Sequence, residues 1–103
     1  MPENIFVFVV CGAKEHIDTL HFSLEYLKRV SKCKIVILTD VSRNETAIVH
    51  DHVIDVQTPG RFNHHQASIY LKTGIYQFVP PGNNYCYLDT DVIALSEQVD
   101  KIF

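Results

Sequence analysis

The chain has 103 residues, carries 9 Lys and Arg against 12 Asp and Glu, and is 47% hydrophobic. This length fits one domain, and the apolar content with a net charge near −3 excludes a disordered chain. The longest unbroken apolar run, Ile5–Cys11, is far shorter than the ~20 residues of a membrane helix, and no signal peptide opens the sequence. Scattered Lys and Arg argue against a nucleic-acid surface. Three widely spaced cysteines predict reduced thiols in a cytoplasmic protein: Cys11, Cys33 and Cys86.

The first predicted strand is Ile5–Cys11, which is apolar without alternation, as expected of a strand buried on both faces. Gly12 ends this strand. Asp18 or Thr19 is the expected N-cap of a helix. The apolar residues of that helix recur at helical spacing: Leu20, Leu24, Leu27 and Val30.

Three further strands are predicted, at Ile35–Leu38, Val53–Val56 and Tyr85–Leu88. Ser42–Thr46 is predicted to be a loop. A second helix is expected from about His65 to Val79, where the segment Pro80-Pro81-Gly82-Asn83 ends it.

This order of elements predicts an α/β fold, namely a Rossmann-like three-layer α/β/α domain with a mostly parallel sheet in the order 3-2-1-4. In such sheets ligands bind beyond the carboxyl ends of the strands, here in the crevice between strands 1 and 4. Three polar segments follow strands and are expected at this edge: Cys11–Lys14, Thr39-Asp40 and Asp89–Asp91.

The pair Asp89 and Asp91 is the sharpest chemical signal in the sequence. In an extended chain, side chains two residues apart point to the same side, with Cα atoms about 6.5 Å apart. Two such carboxylates can hold one Mg²⁺ or Mn²⁺ ion together with a diphosphate. The alternative is that Asp89 caps a turn and Asp91 is solvated. Their position at the end of an apolar strand favours the metal site.

Other polar residues have weaker signals. Lys72 could offset phosphate charge or be an ordinary surface lysine. Asp40 could bind a ribose or base, or simply begin a turn. Lys14, Glu15 and His16 follow Gly12, where a base could stack or pair, but a single glycine makes neither a P-loop nor a GxGxxG motif.

The histidine and tyrosine side chains do not indicate a further metal or cofactor site. The pairs His50-x-His52 and His64-His65 lack the further ligands of a zinc site. Tyr85 and Tyr87 are expected to be core or crevice-wall aromatics.

Several segments resemble the front half of a GT-A glycosyltransferase. They are Phe6–Gly12, Ile35–Asp40, Ile69-Tyr-Leu-Lys-Thr and, above all, Tyr87-Leu-Asp-Thr-Asp-Val-Ile-Ala-Leu95. The similarity is greatest to the family-8-like group of nucleotide-diphospho-sugar transferases, which transfer galactose or glucose. It spans nearly the whole chain.

This resemblance implies a metal-dependent glycosyltransferase that moves a hexose from a UDP-sugar to an acceptor, with Mn²⁺ or Mg²⁺ bridging the diphosphate. Asp91 matches the direct metal ligand of the family, and Asp89 matches the residue that shares metal and ribose contacts. Lys72 stands where the family commonly has Arg near the phosphates. The implied nucleotide-sugar-binding residues are Cys11, Gly12, Ala13, Lys14, Asp40, Lys72, Asp89, Thr90 and Asp91.

The sequence also departs from the family. Cys11–Lys14 lacks the usual Asp and Asn pattern of the nucleotide-contacting segment, and Ser96–Phe103 stands where family members continue for about another domain. The resemblance therefore implies the donor-binding half of an incomplete GT-A domain, residues 1–103. Its fourth strand would have an open edge, which predicts self-association.

The sequence identifies neither the sugar, nor the acceptor (glycan, lipid or protein), nor a catalytic base. Two other functions are weighed beside the transferase. One is a nucleotide- or metal-binding module without turnover. The other is a phosphatase of the HAD class, whose DxD motif has Thr or Val two positions after the second Asp, where this chain has Ile93.

Overall fold

A computed structural model describes residues 2–91 and 97–103. Within these ranges four strands form one sheet: β1 (Asn4–Val9), β2 (Lys34–Thr39), β3 (Val53–Asp55) and β4 (Asn84–Leu88). Their order is β3-β2-β1-β4, and every neighbouring pair is parallel. The predicted α/β fold and strand order are confirmed.

Three α-helices cover the two faces of the sheet in the described part of the chain: α1 (Lys14–Val30), α2 (His64–Thr73) and α3 (Ile75–Phe78). Short 3₁₀ helices lie at Val41–Arg43 and Glu97–Ile102. No helix among the described residues is long and apolar enough to cross a membrane.

The central strand β1 explains the three layers. Its even-numbered residues Phe6 and Phe8 pack with the buried face of α1, whereas Val7 and Val9 pack on the side of α2 and α3. These four side chains are at most 4% exposed. A run that is apolar at consecutive positions is therefore buried on both faces, as the absence of alternation predicts.

The start of α1 differs from the prediction. Neither Asp18 nor Thr19 is the N-cap, because the helix begins at Lys14, four residues before Asp18. Asp18 instead accepts a hydrogen bond from the Lys14 ammonium, and the Thr19 hydroxyl donates to the carbonyl of Glu15. The N-cap residue, Ala13, has no side-chain cap, and the first amide is satisfied from another loop, which local sequence rules do not detect.

The predicted second helix, His65 to Val79, is two helices. Gly74 ends α2, and its backbone conformation (φ −103°, ψ 12°) interrupts the helix before α3 begins. The predicted extent of the first strand is also too long, because pairing ends at Val9 and Cys11 lies in the following turn. Cys11 is thereby placed at the carboxyl edge of the sheet rather than within it.

Candidate functional site

A cleft of about 380 Å³ lies at the carboxyl edge of the sheet, bordered by the ends of β1 and β4 and by α1 and α2. Four of the residues predicted to bind a nucleotide sugar line it: Cys11, Ala13, Lys72 and Thr90. Gly12 and Lys14 belong to the same β1–α1 turn. The crevice between strands 1 and 4 is where the fold predicts a ligand site.

Four polar side chains from α1 and α2 also line the cleft, together with Val9 and Val10 at the end of β1: His16, His64, His65 and Ser68. The three residues of α2 among them were not predicted to line a ligand site. The available signal was the position of His64 and His65 at the start of a crossover helix after the third strand, because that end of the helix lies near the carboxyl edge of the sheet. The Cys11 thiol lies 3.5 Å from the Ser68 hydroxyl. This contact joins the segment after β1 to α2 in the lining of the cleft.

Gly12 permits a close approach between the β1–α1 turn and α2. Its φ of +100° lies in the region that favours glycine, and a Cβ atom there would stand 2.6 Å from the His64 ring. Any larger residue would therefore displace a side chain that lines the cleft.

The loop after β2 holds this turn in place. The Gly12 amide donates to Asn44 Oδ1 at 3.0 Å, and the Lys14 amide donates to Glu45 Oε1 at 2.7 Å. The Glu45 amide donates to the Gly12 carbonyl at 2.9 Å. The role of Asn44 and Glu45 in holding this turn was not predicted from the sequence. Their partners lie about thirty positions away in the chain, and the local sequence of a polar loop does not indicate such contacts.

The two acids after β4 lie in a turn rather than in an extended strand. β4 ends at Leu88, and Thr90 and Asp91 are turn residues, so the extended-chain spacing assumed for Asp89 and Asp91 does not apply. The buried hydroxyl of Ser23 on α1 donates to the Thr90 carbonyl and ties this turn to the helix.

Tyr87 connects Asp89 with Lys72. Its hydroxyl donates to Asp89 Oδ1 at 2.7 Å, and the Lys72 ammonium stands 5.7 Å from the centre of its ring. Burial raises the pKa of Tyr87, and the neighbouring Asp89 raises it further, so the phenol remains a neutral donor. Tyr87 thus has a cation near its ring and a carboxylate at its hydroxyl.

Asp89 and Asp91 are both exposed; neither lines the cleft, but they flank Thr90, which does. Their carboxylate oxygens are the ligand type that Mg²⁺ and Mn²⁺ prefer. Across residues 2–91 and 97–103, no group of three or more His, Cys, Asp or Glu side chains is arranged to hold a metal ion. A cation here would thus have two protein carboxylates at most and would need phosphate or water oxygens, a common arrangement for Mg²⁺.

Asp40 is not brought to the cleft. Its carboxylate is 2% exposed and accepts four hydrogen bonds, from the amide and hydroxyl of Ser42 and of Thr58. Burial alone would raise the pKa of Asp40, but these hydrogen bonds outweigh it and lower the pKa to about 2. Of the two roles weighed for this residue, the structure supports the turn-forming one.

The pair His50 and His52 lies outside the cleft. His50 Nε2 contacts the Ile35 carbonyl at 2.7 Å, and the rings of His50 and His52 stand 6.2 Å apart. All three cysteines are free, with Cys11 buried. Burial raises the pKa of the Cys33 and Cys86 thiols.

Comparison with protein-family models, with curated proteins and with solved structures returned no match in any of the three.

Proposed function

We propose that this chain is the donor-binding part of a metal-dependent glycosyltransferase that takes a hexose from a UDP-sugar. The observation that carries the proposal is the cleft between β1 and β4, which gathers Cys11, Ala13, Lys72 and Thr90 beside the Asp89–Asp91 turn. These residues come from three separate parts of the sequence. Each of them also matches a position in the resemblance to GT-A enzymes.

The charges around the cleft suit a nucleoside diphosphate. Lys72 is an exposed ammonium that can approach a phosphate, while Asp89 and Asp91 offer exposed oxygen ligands on either side of Thr90, which lines the cleft. When bound between the two acids, a Mn²⁺ or Mg²⁺ ion would neutralise diphosphate charge and favour its departure from the sugar. Tyr87 orients Asp89 through its hydroxyl.

The proposal is tested by calorimetric titration of UDP in the presence and absence of Mn²⁺. Asp91→Asn and Asp89→Asn each preserve the size of the side chain but remove its charge. We expect each to weaken Mn²⁺-dependent UDP binding by at least about tenfold. The matched control is Asp51→Asn, which removes the same charge beside β3 at the opposite end of the sheet and should leave UDP affinity unchanged. UDP binding that is independent of both metal and acids would overturn the proposal.

Turnover separates the transferase from the binding module. A UDP-sugar hydrolysis assay on the same samples should release free sugar if the chain carries part of a transferase site. UDP and metal binding without hydrolysis would favour the module, and hydrolysis of simple phosphate esters that Asp89→Asn abolishes would favour the HAD-class phosphatase. The proposal further includes an acceptor of unidentified class and a cytoplasmic location.

A further inference from the structure

One side of α2 carries a row of hydrogen-bond donors along the cleft. Ala67 and Leu71 of this helix are buried in the core. The neighbouring side of the helix lines the cleft instead, with polar residues that recur at three- and four-residue spacing: His64, His65, Ser68 and Lys72. His16, in the first turn of α1, lines the cleft as well. The cleft is thus bordered by imidazole, hydroxyl and ammonium groups from two helices.

The lining of the cleft is rich in groups that can be cationic. Of the described residues that line it, three are histidines and one is a lysine, and none is Asp or Glu. The chain as a whole has 12 Asp and Glu against 9 Lys and Arg, so the composition of the cleft is the reverse of the average. Groups of one sign in a concave surface raise the local concentration of ions of the opposite sign. The cleft therefore favours anions.

The three histidines of the cleft are not arranged as metal ligands. Residues 1 and 92–96 aside, no group of three or more His, Cys, Asp or Glu side chains could hold a metal ion. An imidazole that does not bind a metal can donate an N–H group to a phosphate oxygen, and it gains a positive charge close to neutral pH. A phosphate group is thus a ligand that suits these side chains together with the Lys72 ammonium.

Contacts within the chain hold both ends of the row in place. The His64 ring packs so closely on Gly12 that a Cβ atom there would stand 2.6 Å from it. The start of α2 is fixed by a capping box, in which Asn63 Oδ1 accepts from the Gln66 amide at 2.8 Å. At the other end, the Lys72 ammonium stands 5.7 Å from the centre of the Tyr87 ring. Donors that are ordered before binding lose less entropy when a ligand arrives.

We propose that the cleft binds a phosphate or diphosphate group without a metal ion, through its imidazole and ammonium side chains: His16, His64, His65 and Lys72. This inference deepens the proposed function and rests on it for the identity of the ligand. It assigns to the three histidines a role that neither the DxD segment nor the resemblance to GT-A enzymes gives them. A metal ion at Asp89 and Asp91 then adds to a site that already attracts the phosphate groups.

The test follows the histidine ring signals of the unmodified protein by NMR while inorganic pyrophosphate is added without divalent metal, at constant pH and ionic strength. The chain has 6 histidines, and those outside the cleft are an internal control: His21, His50 and His52. We expect pyrophosphate to shift the ring signals of His16, His64 and His65 and to leave those of the control group in place. Equal shifts in both groups, or no shift in the cleft group, overturn the inference.

Variants measure the contribution of single donors. Lys72→Ala and His65→Ala each remove one donor at an exposed position and should weaken pyrophosphate binding about fivefold and about threefold. The matched controls are Lys28→Ala, in the last turn of α1, and His52→Ala, outside the cleft, which should leave the affinity unchanged. Affinities that are unchanged in both cleft variants, or reduced as much in the controls, overturn the inference.

Asp91→Asn distinguishes this inference from the proposed function. The variant removes a proposed metal ligand, so it should weaken UDP binding with Mn²⁺ but leave pyrophosphate binding without metal in place. Loss of metal-free pyrophosphate binding in Asp91→Asn would overturn the inference. If pyrophosphate binds to the cleft histidines while UDP with Mn²⁺ does not bind to the unmodified protein, the inference holds and the proposed function is contradicted.

Discussion

Asp40 is a buried carboxylate whose charge stabilises the fold. Its pKa of about 2 lies below the value of 3.8 for an ordinary Asp, so the ionised form is favoured in the folded state. The stabilisation is therefore fully present above about pH 4 and is lost as the pH falls through about 2. Four hydrogen bonds and the Arg43 guanidinium, 3.4 Å away, depend on this charge.

We predict that Asp40→Asn lowers the free energy of unfolding by about 2 kcal/mol at neutral pH. Urea denaturation at several pH values measures this loss. The difference between the variant and the unmodified protein should shrink as the pH falls from about 4 to about 2. Asp18→Asn is the control, because its exposed ion pair with Lys14 contributes little. A pH-independent difference would contradict the role given to the Asp40 charge.

His50 is expected to make the stability depend on pH in a milder range. Since the Ile35 carbonyl can only accept, Nε2 donates to it, and Nδ1 is buried without a partner among the described residues. Burial lowers the pKa of His50 from 6.5, and Lys28 and His52 lower it further, while the hydrogen bond to Ile35 and the charge of Asp51 oppose this shift. Because the folded-state pKa is lowered, stability is at its full value above pH 6.5 and falls as the pH drops from 6.5 through the lower folded-state pKa.

We predict that His50→Gln flattens the decline in thermal stability between about pH 7 and about pH 5. The glutamine amide can donate to the Ile35 carbonyl but does not take up a proton. His65→Gln, at an exposed position on α2, should leave the decline as it is in the unmodified protein. An unchanged decline in His50→Gln would assign the pH dependence to other groups.

Among the elements, the β1–α1 turn approaches α2 most closely at residue 12, where a side chain would clash with His64. Gly12→Ala adds both a strained φ and a clash with His64, so we expect a loss of about 3 kcal/mol. Gly82→Ala is a matched control, because Gly82 has a similar φ of +91° with open space around it, and it should cost about 1 kcal/mol. Chemical denaturation measures both losses. Equal losses would mean that the close approach to His64 is unimportant.

The strands were predictable because the physical signal of each lies within its own segment. The unbroken apolar run of β1 indicates burial on both faces, and the proline pair after Val79 ends the second helical region. Parallel strands are joined by right-handed crossovers, and the usual topology of dinucleotide-binding folds then predicts the order 3-2-1-4, which the sheet has.

The site was less predictable because its contacts join distant segments. Glu45 reaches Lys14, and Ser23 reaches Thr90, across long stretches of chain that no local pattern connects. Whether Asp40 faces a ligand site or holds a turn depends on the position of Thr58, which the local sequence around Asp40 does not indicate. Lys72 and Thr90 were predicted as ligand residues from the resemblance to GT-A enzymes; both line the cleft, and their binding of a nucleotide sugar stays a prediction.

At the scale of the whole molecule, β4 is an edge strand. Within residues 2–91 and 97–103 it pairs with β1 alone, and Tyr76, which packs edge-on against Tyr85, is 80% exposed beside it. An open edge flanked by exposed aromatic side chains favours pairing with another chain. We predict that the protein sediments as a dimer or larger species at concentrations on the order of tens of micromolar.

Tyr76→Lys places a charge next to this edge and should shift the protein towards the monomer without lowering its thermal stability. Tyr26→Lys, a similar change on the outer side of α1, is the control and should leave the sedimentation pattern unchanged. A monomeric unmodified protein at these concentrations would contradict the prediction.

The residues that line the cleft run from the end of β1 to the turn after β4, so no short segment of the chain contains it. Binding of a ligand in the cleft is consequently coupled to folding, and any molecule that binds there raises the melting temperature. A compound at about one hundred times its dissociation constant contributes about 2.7 kcal/mol, which raises the melting temperature of a domain this size by roughly 10–20 °C. Differential scanning fluorimetry across a panel of nucleosides and their phosphates would thus test the proposed nucleotide binding, and the largest rise in melting temperature would identify the preferred base.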